Sequence, residues 1–154
     1  MKIYIGTDHA GFELKEELKK FLKGLGCEVE DKGAYEFNRE DDYPDFILPV
    51  VKAVAEDIAR DLDSRGIVIG GSGQGEAIVA NKVKNIRAAV VYDEYSAKMS
   101  REHNDANIVS LGTRTLSADK AKKLVKLWLE TPFSNEERHK RRIEKIKTIE
   151  KGSG

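Results

Sequence analysis

Short apolar runs rich in β-branched residues alternate with longer amphipathic stretches five times along the chain, and this alternation limits the possible folds most. Lys2 to Gly6 reads as a first strand, Cys27 to Glu30 as a second and Gly66 to Ile69 as a third. Arg87 to Tyr92 and Asn107 to Leu111 make the fourth and fifth. Between the first two, Leu14, Leu18, Phe21, Leu22 and Leu25 recur at helical spacing, with Gly26 placed as the glycine that ends the helix. The polar stretch Asp31 to Asp42 reads as loop, and Pro44 opens a helix carrying Phe46, Val50, Val51, Val54 and Ile58. Further helices are expected from about Gly75 to Val83, Asp93 to about His103 and Ala118 to Glu130. A last helix follows Ser134, whose spacing to Glu137 makes a capping box. Strands separated by helices run parallel through right-handed crossovers, so the expected fold is α/β, a sheet between two helical layers. In such sheets ligands bind beyond the carboxyl ends of the strands. The places to look are Thr7-Asp8-His9, Gly70 to Glu76, Asp93 and Gly112-Thr113-Arg114.

Composition narrows the function classes. The 154 residues suit one domain over 1–151, with 152–154 a flexible tail or cloning remnant. Lys and Arg number 27 and so do Asp and Glu, so no general positive potential favours nucleic acid. A single cysteine, Cys27, excludes an internal disulfide framework and a cysteine-rich zinc site, and it is expected to pack in the second strand. No run approaches the ~20 apolar residues of a membrane span, and no leader pattern precedes the first strand. A cytoplasmic setting is the expectation.

The third strand runs into Gly70-Gly71-Ser72-Gly73-Gln74-Gly75-Glu76. Glycines at this density let the backbone approach a ligand and aim N–H groups at negative charge near a helix start. The dinucleotide pattern G-x-G-x-x-G fails, because Gly71 and Gly73 are followed by Glu76. The phosphate-loop pattern aligns from Gly70 to Gly75 but puts Glu76 where lysine belongs and Ala77 where serine or threonine belongs. A carboxylate there repels nucleotide phosphates. Removing a proton from carbon beside a carbonyl, however, needs a base and donors for the developing oxyanion, and Glu76 with the loop amides supplies both. The helix end favours the Glu76 anion and a closed site opposes it, a balance the sequence leaves open. Taken alone, Glu76 reads as a solvated first-turn acid.

His9 beside Asp8 sits where a ligand contact or a local turn bond would be made. His103, at the end of a helix in Arg101-Glu102-His103-Asn104, reads alone as a residue serving the helix dipole. Three scattered histidines, His9, His103 and His139, have no ligand spacing, so no protein-bound metal is expected, and the proton abstraction read from Glu76 is expected to proceed without an organic cofactor. Arg138 and Arg142 are four apart on the last helix and share a face, which suits either solvent or a phosphate group. Tyr43 before Pro44 packs or lines the site.

Taken together these pieces resemble the ribose-5-phosphate isomerase type B and galactose-6-phosphate isomerase family. The resemblance rests on Gly6 to Lys15, Asp42-Tyr43-Pro44-Asp45, Gly70 to Glu76 with Ala80-Asn81-Lys82, Ser100 to Asn104, Leu111 to Arg114, and Arg138-His139 with Arg142. Many family members carry a cysteine base at the position of Gly71. This sequence is similar instead to the branch with G-G-S-G-x-G-E, in which the glutamate is the base. The resemblance implies a Rossmann-like α/β/α sandwich with a five-stranded parallel sheet. It implies that His103 and Asp8 assist opening of the sugar ring, that Ser72 handles protons near the sugar oxygens, and that the amides around Gly71, Gly73 and Gly75 hold an enediolate. Arg114, Arg138 and Arg142, with His9 and His139, would hold the phosphate, while Tyr43 and Asn104 line the sugar site. It further implies a homodimer or tetramer with sites shared between subunits, so that His103 and the arginine helix serve a neighbour's Glu76. The expected activity is interconversion of ribose 5-phosphate and ribulose 5-phosphate in the pentose phosphate pathway. A six-carbon sugar phosphate (galactose or allose 6-phosphate) and a non-catalytic sugar-phosphate sensor remain open, while neither nucleic acid nor membrane is an expected partner.

Overall fold

The computed structural model describes residues 1–152; the expectation for Ser153 and Gly154 lies outside them. Five strands form one sheet in the order β2-β1-β3-β5-β4: β1 (Lys2–Thr7), β2 (Glu28–Asp31), β3 (Ser64–Gly70), β4 (Ala88–Val90) and β5 (Ile108–Gly112). Every pairing is parallel. The helices are α1 (Phe12–Gly24), α2 (Pro44–Ala59), α3 (Gln74–Ala80), α4 (Glu94–Glu102), α5 (Ala118–Glu130) and α6 (Glu137–Gly152). No described helix is long and apolar enough to cross a membrane.

Alternating strand residues feed two separate cores, as expected when helices cover both faces of a parallel sheet. Ile3, Ile5, Ile67, Ile69, Val109 and Leu111 pack against Leu14, Leu18 and Leu22 of α1, Ala97 of α4, and Leu124, Val125 and Trp128 of α5. On the other face Tyr4, Val68 and Ile108 meet Ile47, Val50, Val51 and Val54 of α2 and Ala80 of α3. This is the three-layer α/β/α sandwich. Cys27 lies just before β2 and packs, partly buried, against the first core.

Element boundaries moved where pairing outweighs composition. Central β3 extends back over polar Ser64 and Arg65 because these pair with Lys2 and Ile3 of β1, while its pairing with β5 begins only at Gly66. Strand β4 is an edge bonded only to β5 and shrinks to three residues. The expected Ser134–Glu137 capping box does not form: the Ser134 hydroxyl accepts from the Glu136 N–H at 3.4 Å, a turn outside the helix. A reciprocal box forms instead at α4, between Asp93 and Ser96. Gly26, at φ 85°, adopts the left-handed conformation that ends α1.

Strand order reverses between β1 and β3, and the crevice for a ligand in this fold opens at that reversal. The segments leaving there are Asp8-His9 and the glycine loop.

Candidate active site

At the end of β3 the chain turns through Gly71-Ser72-Gly73 into α3, and only Gly73 (φ 79°) needs the left-handed region. Strand β5 and the segment after it lace this turn in place. The Thr113 N–H donates to Gly70 O at 2.9 Å and the Arg114 N–H to Gly71 O at 3.0 Å. The Ser110 hydroxyl donates to Gly73 O at 2.6 Å. Glu76 occupies the first turn of α3 and is 4% exposed. Its carboxylate lies over Gly70, in the space a Cβ there would fill. Burial raises its proton affinity above the ordinary carboxylate range, and the nearby negative charge of Asp8 adds to the shift. Desolvation therefore wins over the helix end, the balance the sequence left open.

Asp8 and His9 leave β1 on the same rim. Asp8 is buried and accepts from the Ala10 N–H at 3.0 Å; desolvation raises its proton affinity too. The His9 ring bonds through Nδ1 to Asp41 Oδ1 at 2.7 Å, and the His9 main-chain N–H donates to the same oxygen at 3.3 Å. Asp41 Oδ2 is buried without a partner among the described residues. Sequence reasoning missed Asp41, which lies 32 residues away in the polar loop, where no periodicity marks it. The ligand atoms of Asp8, His9 and Asp41 all lie within 4.8 Å of one another, a grouping hidden in the sequence. With Nδ1 engaged by Asp41, the arrangement is that of a carboxylate orienting an imidazole.

Tyr43 lays its ring against Gly75, close enough that a Cβ there would meet the phenol at 2.6 Å. Ser72 is exposed, with its hydroxyl accepting from the Gln74 N–H at 3.2 Å. Arg114 is exposed beside Gly71, and its guanidinium has no hydrogen-bond or ion-pair partner among the described residues. His9 and Arg114 line one pocket of about 300 Å³ with Thr113 and Phe37. Glu76, Asp8, His9, Ser72, Tyr43, Arg114 and the glycines thus share the carboxyl rim of the sheet.

The other named residues form a second group elsewhere. His103 caps the end of α4 and stacks on His139, with ring centroids 4.3 Å apart and planes 14° from parallel. His139 is buried, and desolvation followed by the charges of His103, Arg138 and Arg142 lowers its proton affinity. Arg138 and Arg142 are exposed, and Arg138 bonds Glu136 at 2.9 Å. The Asn104 carbonyl accepts from Arg87 Nε at 2.7 Å, next to the start of β4. Because α4 runs back antiparallel to the strands, its end lies at the amino rim. Glu76 lies at the carboxyl rim, so a strand's length of roughly 15–20 Å separates the two groups within one chain. Within one chain the two groups are not joined.

A buried carboxylate of raised basicity, beside backbone donors and an unpaired arginine on an α/β/α sheet, defines an acid–base enzyme for a small anionic substrate. The sequence model of the ribose/galactose isomerase family matches residues 3–146, and the chain belongs to that family. The ribose-5-phosphate isomerase B of Escherichia coli K12 is 42% identical over 149 residues, covering 97% of this chain and 96% of the relative. That of Mycobacterium tuberculosis H37Rv is 40% identical over 151 residues, 98% and 91% of the two chains. Among solved structures, ribose-5-phosphate isomerase B of Clostridium thermocellum superposes with a TM-score of 0.92 at 50% identity over both whole chains. The Mycoplasma genitalium enzyme with bound ribulose-5-phosphate gives 0.92 at 37% identity, over 97% and 96% of the chains.

Proposed function

We propose that this chain is an aldose–ketose isomerase that interconverts D-ribose 5-phosphate and D-ribulose 5-phosphate. The observation that carries the reading is Glu76, a buried carboxylate of raised basicity at the start of a helix that follows a glycine loop. Family membership and the ribulose-5-phosphate bound by the M. genitalium relative support the choice of sugar. Glu76 takes the hydrogen from C2 of the open-chain aldose as a proton, and the electron pair of that C–H bond forms the C1–C2 double bond of an enediolate. The negative charge on O1 rests against the N–H groups around Gly71, Gly73 and Gly75, helped by the Ser72 hydroxyl. A proton moves from O2 to O1, Glu76 returns its proton to C1, and O2 becomes the ketose carbonyl. No external oxidant or reductant enters this balance.

The half-site at the amino rim belongs to the same chemistry through a second copy of the chain. His103 with Asp8 opens the furanose ring, Asn104 and Tyr43 line the sugar, and Arg138, His139 and Arg142 join His9 and Arg114 around the phosphate. What supports this division is that His103 and Glu76 lie at opposite ends of one sheet. The assembly is a homodimer or a tetramer of such dimers, and a cytoplasmic setting suits the single cysteine.

The test is a panel of ribose, allose and galactose phosphates incubated with the protein in deuterated water. Ketose formation from ribose 5-phosphate, with deuterium at C1 of the ketose and at C2 of the recovered aldose, is expected to be the fastest. Faster exchange with a six-carbon sugar would reassign the substrate, and binding without exchange from any sugar would remove the enzyme altogether.

A further inference from the structure

A second polar cavity, of about 270 Å³, opens at the amino ends of β3, β4 and β5, on the rim opposite Glu76. Its wall carries Arg65, Arg87, Arg101 and Lys147 against two carboxylates, Asp63 and Asp105. Asp105 is shared: Arg101 reaches it at 2.8 Å and Arg87 at 3.5 Å. Arg65 makes no ion pair among the described residues. It donates only Nη1, to the carbonyls of Trp128 and Leu129 at 3.4 and 3.2 Å, and stacks over the Trp128 ring. Arg65 therefore keeps Nε and Nη2 unspent, Arg101 keeps Nη2, and Arg87 keeps Nη1.

Ser64 also lines the cavity; it is 5% exposed and its buried hydroxyl has no partner among the described residues. A buried hydroxyl left unsatisfied is destabilising, so a structure that keeps one beside surplus guanidinium donors calls for an acceptor. Burial first, and then the charge of Arg101, push the Arg65 guanidinium down to about 10, against the opposing charges of Asp63 and Asp105.

We propose that this cavity is a second anion site, distinct from the isomerase site, that binds a phosphoryl group through Arg65, Arg87, Arg101 and the Ser64 hydroxyl. The excess of two positive charges along its wall suits a dianion. Guanidinium donors brought by three different elements surround a tetrahedral group better than a planar carboxylate. The source is either free phosphate or a phosphorylated metabolite. None of the four residues belongs to the two half-sites above, although Arg87 also holds the Asn104 carbonyl.

The experiment is calorimetric titration of the full chain with inorganic phosphate, and with glycerol 3-phosphate as a second probe. Wild type is expected to show two classes of site. Arg65→Met should weaken one class at least tenfold, and Ser64→Ala should weaken the same class about fivefold, the worth of one hydrogen bond. The KM for ribose 5-phosphate should not change in either variant, and Arg114→Ala should weaken only the other class. Binding of both probes assigns the site to phosphorylated metabolites, and binding of phosphate alone assigns it to the free ion. Ser64→Ala alters a single atom and keeps the test decisive should Arg65→Met not fold. Superimposable isotherms for wild type and Ser64→Ala, or a single class abolished by Arg114→Ala, would overturn the proposal.

Discussion

Replacing Gly70 by alanine tests the position of the base without changing the base itself. Gly70 is outside the left-handed region, so the backbone accepts the new residue. The added Cβ, however, would fall within the space of the Glu76 carboxylate, with Oε2 at 2.7 Å and Oε1 and Cδ nearer still. Carbon–oxygen contact requires more than about 3 Å, so the carboxylate must move by about 1 Å or more. Because what moves is the far end of a flexible side chain, folding stability should change by less than about 1 kcal/mol. A reacting group misplaced by that distance costs on the order of 10²-fold, about 2.7 kcal/mol of transition-state stabilisation. The expected result in a coupled ribulose assay is a kcat down about 100-fold, with KM within about threefold and a melting temperature near that of wild type. In a Glu76→Gln background the same change should cost almost nothing further, since the group it displaces no longer works. A Gly70→Ala enzyme with wild-type kcat would refute the reasoning, as would a full 100-fold loss added on top of Glu76→Gln.

Glu76→Gln alone should lower kcat by about 10²–10⁴ while raising stability at neutral pH. The folded-state pKa of Glu76 lies above its ordinary value of 4.5, so wild type loses stability as pH rises from 4.5 through that raised pKa, and the glutamine variant does not. Melting curves from pH 4 to 8 check this, and parallel profiles for the two proteins would contradict it. Mixing inactive Glu76→Gln with inactive His103→Ala and letting subunits exchange should restore about a quarter of wild-type activity, because half of the random dimers carry one intact composite site. A mixture that stays inactive after proven exchange places both residues in the same subunit's site. Asp41→Asn, which weakens the carboxylate bond to His9, should raise KM for the phosphosugar about tenfold with little change in kcat. A loss confined to kcat would move His9 from phosphate binding to chemistry.

The alternation of strands and helices and the glycine loop ending in Glu76 were legible in the sequence, because hydrophobic period and glycine content act over a few neighbouring residues. Helix α5 was read to the residue and α2 from its opening proline. Strand lengths were not: β3 gained Ser64 and Arg65 and β4 was cut back, since ladders end where partners end. The basicity of Glu76 also required the structure. Helix-end attraction and desolvation have opposite signs, and only the burial of its carboxylate over Gly70 decides between them. Asp41 came into view only when the loop before α2 folded back onto His9, a contact without sequence period. The sequence thus determined the layers and the chemical groups available to the protein. Tertiary structure alone decided which groups share a rim, because crossover helices return each chain segment to the opposite end of the sheet and so part His103 from Glu76.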